Sequence, residues 1–117
     1  MKVAVDTHVL VRAVVRDDPT QGDAAAQLLA EAELIVVALP CLCEFVWVLR
    51  KIYRLPPCDV ADAIRALLAT ANVAMNRPAV EAGLAVFEAG GDFADGVIAY
   101  EGRWFGGETF MSFDKRV

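Results

Sequence analysis

Lys2-Val3-Ala4-Val5-Asp6-Thr7-His8-Val9-Leu10-Val11 is the stretch on which the reading of the fold turns. Lys2 to Val5 is short, apolar and β-branched, the pattern of a buried strand. Asp6-Thr7 then supplies a helix N-cap, because a side-chain oxygen there can accept from one of the unsatisfied N–H groups of the first helical turn. Val11, Val14 and Val15 follow at helical spacing and are expected to form that helix's buried stripe.

The same alternation continues along the chain. Asp17-Asp18-Pro19 stops the first helix, since proline disfavours helical geometry in the residue before it. A second helix is expected over Thr20 to Ala32, with Ala25, Leu28, Leu29 and Ala32 inward, and Leu34 to Val37 reads as the second strand. Pro40 opens a third helix reaching about Tyr53. After the Pro56-Pro57 break, Asp59 is placed to cap a helix whose Val60, Ile64, Leu67 and Leu68 share a face. Asn72 to Met75 reads as a third strand. Pro78 begins a helix with Val80, Leu84 and Phe87 on one side, ended by Gly90-Gly91. Asp92 starts the next, where Phe93, Val97, Tyr100 and Trp104 repeat, and Gly106-Gly107 leads into a last strand, Thr109 to Phe113. Strands alternating with helices imply an α/β fold of three layers, a central, mostly parallel sheet with helices on both faces. At 117 residues the chain is expected to be one domain, with its last edge strand short or missing.

Composition removes several classes of function. Hydrophobic residues make up 57% and the mean hydropathy is +0.45, but 20 of those residues are alanines. Charged residues interrupt every apolar stretch well short of the roughly 20 residues a membrane span needs. Asp6 interrupts the N-terminal apolar stretch, so no secretory signal is expected. Three cysteines, Cys41, Cys43 and Cys58, with one histidine, His8, do not meet zinc spacings and read as reduced thiols of a cytoplasmic protein. The net charge is −5, so any nucleic-acid role must be local or assisted by a metal.

The acidic residues carry the chemistry. In open α/β sheets ligands bind outside the carboxyl ends of the strands. Asp6 ends the first strand and Asp114 follows the last, so both are expected on one edge. Glu44 is the only charge between Glu33 and Arg50, on a helix apolar nearly all round (Leu42, Phe45, Val46, Trp47, Val48, Leu49). Such a helix is expected to be buried or covered, which requires its carboxylate to be paired, protonated or metal-linked. Asp92 and Asp95 share a face at a helix start. Each has a plainer reading: Asp6 and Asp92 as N-caps, Asp95 as a favourable charge on the helix dipole, Asp114 as a solvated charge, Glu44 as half of an ion pair with an Arg. Taken together, carboxylates from four elements would repel one another unless a cation intervened. An all-oxygen set without His or Cys favours Mg²⁺ or Mn²⁺.

Four segments resemble PIN-domain ribonucleases. Val5-Asp6-Thr7-His8-Val9-Leu10-Val11-Arg12 resembles their opening, and Cys43-Glu44-Phe45-Val46-Trp47-Val48-Leu49 their second acidic motif. Asp92-Phe93-Ala94-Asp95-Gly96-Val97-Ile98-Ala99 resembles the third, and Thr109-Phe110-Met111-Ser112-Phe113-Asp114-Lys115 the fourth. The set is similar to the VapC-type toxins of type II toxin–antitoxin pairs. The resemblance implies a metal-dependent endoribonuclease in which Asp6, Glu44, Asp95 and Asp114 form the acidic quartet. Asp6, Asp95 and Asp114 would hold Mg²⁺ or Mn²⁺, with Glu44 acting through water or a second ion and Asp92 as an auxiliary acid. It further implies products with a 5′-phosphate and a 3′-hydroxyl, an RNA substrate, a cognate VapB-like antitoxin, a homodimer and no membrane association. His8 stands where Asn is common in this subgroup. Arg12, Arg16, Arg50, Lys51, Arg54 and Lys115 are candidates for the rim that contacts RNA phosphates. Two other readings stand beside it. One is a non-catalytic PIN-like scaffold that binds a protein. The other is a receiver- or phosphatase-type domain with Asp6 as nucleophile, in which His8 occupies the place of the second acid.

Overall fold

Backbone pairing in the computed structural model, which describes residues 1–113, joins three short strands into one parallel sheet in the order β1-β2-β3. These are β1 (Lys2–Ala4), β2 (Leu34–Val36) and β3 (Val73–Ala74). Lys2 pairs with Leu34, Ile35 with Val73 and Val36 with Ala74. Parallel strands cannot be joined by tight hairpins, so a long crossover connects each to the next. α1 (Thr7–Val15) and α2 (Pro19–Glu31) connect β1 to β2, and α3 (Leu39–Lys51) and α4 (Pro57–Leu68) connect β2 to β3. Together they make one unit, Met1–Met75. The second unit begins at Asn76 and contains α5 (Arg77–Glu88) and α6 (Phe93–Trp104).

The core of the first unit follows from the aliphatic spacing. Leu10 and Val11 of α1, Ile35 of β2, Leu42, Phe45 and Leu49 of α3, and Val60 and Ile64 of α4 are all buried. α1 packs on both α2 and α3, and α3 packs on α4. The joints are held by local polar chemistry. Asp18 accepts from the Gln21 N–H at 3.1 Å and so caps α2, with Pro19 in its first turn. At the other end of α2, Asn72 Nδ2 donates to the carbonyls of Leu29 (3.0 Å) and Ala32 (2.9 Å), which fixes the approach to β3.

Several expectations are corrected. Thr109 to Phe113 forms no strand. Met111 and Phe113 are exposed, and no backbone ladder is made there by the described residues, so an apolar alternation alone did not produce pairing. In α1 the buried face is Thr7, Leu10 and Val11, with Val14 exposed. Asp59 lies in the first turn of α4 rather than at its cap, which is Pro56. Trp104, at the end of the expected α6 stripe, is 76% exposed. Phe93 and Val97 are buried as the spacing requires.

In the second unit α5 and α6 approach through paired glycines. A methyl group on Gly96 would lie 2.8 Å from Gly83 Cα and 2.9 Å from the Ala82 carbonyl oxygen. One on Gly83 would lie 2.8 Å from Val97 and 2.9 Å from Phe93. Gly90, at φ +100°, provides the left-handed turn after α5 that other residues adopt only with strain. Because much of the obstruction at Gly96 is backbone, Gly96→Ala should destabilise the protein by about 1–3 kcal/mol. A lowered urea midpoint at unchanged slope measures it.

Candidate functional site

The first unit places Asp6 where the sheet delivers it. The Val5 N–H still donates to Val36 O at 3.2 Å, beside the strand end, and the next residue begins α1. Asp6 Oδ1 accepts from the Val9 N–H at 3.1 Å, so the N-cap reading is correct. The cap uses one carboxylate oxygen. The side chain as a whole stays exposed, with His8 Nδ1 3.9 Å from Oδ2.

Thr7 is the hidden part of this corner. It is buried, and its hydroxyl donates to the Cys41 carbonyl oxygen at 3.4 Å and lies 3.8 Å from Cys41 Sγ. The start of α1 is thereby tied to the first turn of α3. Burial pushes the Cys41 thiol up. The Thr7 hydrogen bond opposes this, and the charges of Asp6 and Glu44 add to the rise. Nothing in the spacing of Thr7 and Cys41, 34 residues apart, announces this link.

Glu44 is exposed rather than buried, which corrects the expectation drawn from its helix. Leu42, Phe45, Val46 and Leu49 are buried, but α3 turns an outer face of Pro40, Glu44, Trp47 and Lys51 to solvent. The carboxylate therefore needs no partner to offset desolvation and is open to a ligand. In the second unit Asp92 Oδ1 accepts from the Asp95 N–H at 3.1 Å and caps α6. Asp95 is half-buried in the first helical turn. At the other end of α6, Asn76, Pro78, Tyr100, Glu101, Trp104 and Phe105 line an open groove of about 290 Å³, remote along the helix from Asp95. Asp114 and Lys115 lie outside the described residues.

Asp6 and Glu44 of the first unit, and separately Asp92 and Asp95 of the second, are carboxylates, the oxygen donors that hard divalent cations take. Among the described residues no three His, Cys, Asp or Glu side chains gather in a group that could hold a metal ion. No helix is long and apolar enough to cross a membrane.

The rim cations divide by what they already hold. Arg12 Nη1 donates to Asp17 Oδ1 at 2.7 Å and to Tyr53 OH at 3.4 Å, and Tyr53 OH donates to Asp17 Oδ2 at 3.1 Å. Arg16 pairs with Asp23, and Arg50 donates to Leu55 O at 2.7 Å. Lys51 and Arg54 are exposed and make no ion pair among the described residues. Partial desolvation pushes the Asp17 carboxyl up, yet the hydrogen bonds from Arg12 and Tyr53 and the Arg12 charge outweigh it. They hold Asp17 below the usual carboxylate range. A lowered folded-state value contributes stability that is present above the unfolded value and lost as pH falls through the folded one. Denaturant melts should therefore show wild type losing its advantage over Asp17→Asn as the pH drops below about 4.

Neither curated proteins nor solved structures yield a match. The PIN domain family model matches residues 3–117, nearly the whole chain, including the segments of all four acidic motifs. PIN domains are in general nucleases that need divalent metal ions, which agrees with a donor set made only of carboxylates. The extent of that match, over a parallel α/β sheet with an acid at the end of β1, makes the chain a member of the PIN domain family.

Proposed function

We propose that the protein is a Mg²⁺- or Mn²⁺-dependent endoribonuclease of the VapC toxin type, cytoplasmic and silenced by a cognate VapB-like antitoxin. The observation that carries this reading is the family match over residues 3–117, joined to an exposed Asp6 that caps α1 just beyond the end of β1 and keeps one carboxylate oxygen outside the cap. Family membership sets aside the receiver and phosphatase readings. The retained acids speak against a purely protein-binding scaffold.

Asp6, Asp95 and Asp114 would hold the ion, with Glu44 acting through water or a second ion. A divalent cation in such a site supplies Lewis acidity and neutralises charge at the scissile phosphate. The protein's own part is to keep the carboxylates oriented. The Val9 N–H fixes one oxygen of Asp6 and leaves the other for coordination. Asp92, as the cap of α6, holds the turn that presents Asp95, which gives the auxiliary acid a structural role. A homodimer belongs to the same proposal. Exposed Ile98, Trp104 and Phe105 on the second unit are apolar surface of the kind that interfaces cover.

Asp6→Asn and Asp95→Asn should each abolish Mg²⁺- or Mn²⁺-dependent cleavage of total cellular RNA, with EDTA abolishing it in wild type. Full cleavage by both variants would overturn the assignment. Binding to the folded state alone stabilises by roughly 2.7 kcal/mol at a hundredfold excess of ligand over its Kd. Mn²⁺ should therefore raise the Tm of wild type and leave Asp6→Asn unmoved, as read by differential scanning fluorimetry. An equal rise in both would mean binding elsewhere.

A further inference from the structure

The outer face of α3 is composed for more than solubility. Pro40, Glu44, Trp47 and Lys51 recur at helical spacing and are all exposed. Trp47 is 54% exposed while Phe45 and Leu49 of the same helix are fully buried, so the core does not use this indole. The helical rise sets Trp47 roughly 4.5 Å and Lys51 roughly 10 Å beyond Glu44 along the axis. Charge changes sign along the same line. The protein carries −5, yet the only charged residues between Glu44 and Asp59 are Arg50, Lys51 and Arg54.

Arg50 is held by Leu55 O, which leaves Lys51 and Arg54 as the outward cations. Asp17, the acid that reaches Tyr53 in this turn, is itself bound by Arg12 and Tyr53. Arg54 sits at φ 56°, a left-handed position where glycine would be free of strain. The turn thus keeps an arginine where backbone geometry favours glycine.

We propose that this face of α3 is a track for single-stranded nucleic acid, with an unpaired base stacked on Trp47 and the adjoining phosphates on Lys51 and Arg54. The inference rests on the nuclease reading and extends it: the strand would run from the Glu44 end of α3 toward its C-terminus. An indole can take only a base whose face is free, so single strands are the substrate class this surface selects. An aromatic platform beside unpaired cations is the usual means of holding such strands without sequence preference.

The test is binding of a short oligouridylate in EDTA, where cleavage is suppressed. It is read by anisotropy and, in a Trp104→Phe background that leaves Trp47 as the only tryptophan, by indole emission. Oligonucleotide should quench Trp47, and Trp47→Ala should weaken binding roughly five- to a hundredfold, with Trp47→Phe retaining most of the affinity. Lys51→Gln should lower the salt dependence by roughly 0.7 in log–log slope. Arg54→Gly should weaken binding without lowering the Tm, a combination that a merely structural arginine would not give. A duplex of equal length should bind less tightly than the single strand.

Unchanged affinity in Trp47→Ala, with its circular dichroism intact, would overturn the track. So would conversion of a dimer to a monomer by Trp47→Ala at unchanged oligonucleotide affinity, which would assign the face to a second copy. If wild type still cleaves RNA with Mn²⁺ in either case, the nuclease reading stands without the track. If wild type neither binds nor cleaves RNA, both fall.

Discussion

The hydrogen bond from the Val9 N–H to Asp6 Oδ1 is the constraint on which the site depends. A parallel strand must hand its chain to a crossover, and the helix that follows has unsatisfied N–H groups in its first turn. Asp6 satisfies one of them within two residues of the end of β1. A residue that capped equally well without a charge, such as Ser, would serve the helix and lose the carboxylate. The cap occupies one oxygen of that carboxylate, and under the proposed nuclease reading the other would be the one offered to a metal ion. At the start of α6 the cap is Asp92, which accepts from the N–H of Asp95 three residues on.

Thr7 turns that cap into a corner. Its buried hydroxyl reaches Cys41 in the first turn of α3, so the N-terminal ends of two helices converge. Helix N-termini carry partial positive charge, which favours the Asp6 carboxylate held there. The raised Cys41 thiol follows mainly from its burial, and secondarily from the two acids around it. It stays protonated and uncharged at neutral pH.

Electrostatics on the rest of the first unit is a matter of which cations are already engaged. Arg12 and Arg16 are bound to Asp17 and Asp23, in ion pairs that join the end of α1 to its surroundings. Arg50 closes the turn after α3 through Leu55 O. Lys51 and Arg54, at the end of α3, stay exposed and form no ion pair among the described residues.

The succession of strand, cap and helix was legible from residues 2–15 onward, because hydrophobic period, Asp caps and proline stops are local properties of the chain. The parallel sheet followed from that succession, whereas the four acidic motifs were legible only through their resemblance to PIN-domain ribonucleases. Burial was not legible in the same way. α3 is apolar nearly all round, and the sequence therefore put Glu44 inside. The folded chain covers the face of Leu42, Phe45, Val46 and Leu49, and Glu44 and Trp47 stand in solvent. Trp104 and Phe113 were likewise left exposed and Thr109 to Phe113 without a strand, since hydrophobicity states a demand for partners and only tertiary packing supplies them. Thr7 with Cys41, and Arg12 with Asp17 and Tyr53, were invisible beforehand for the complementary reason. Their partners lie 34 and 41 residues apart, and such contacts exist only after the crossovers have brought α1 and α3 together.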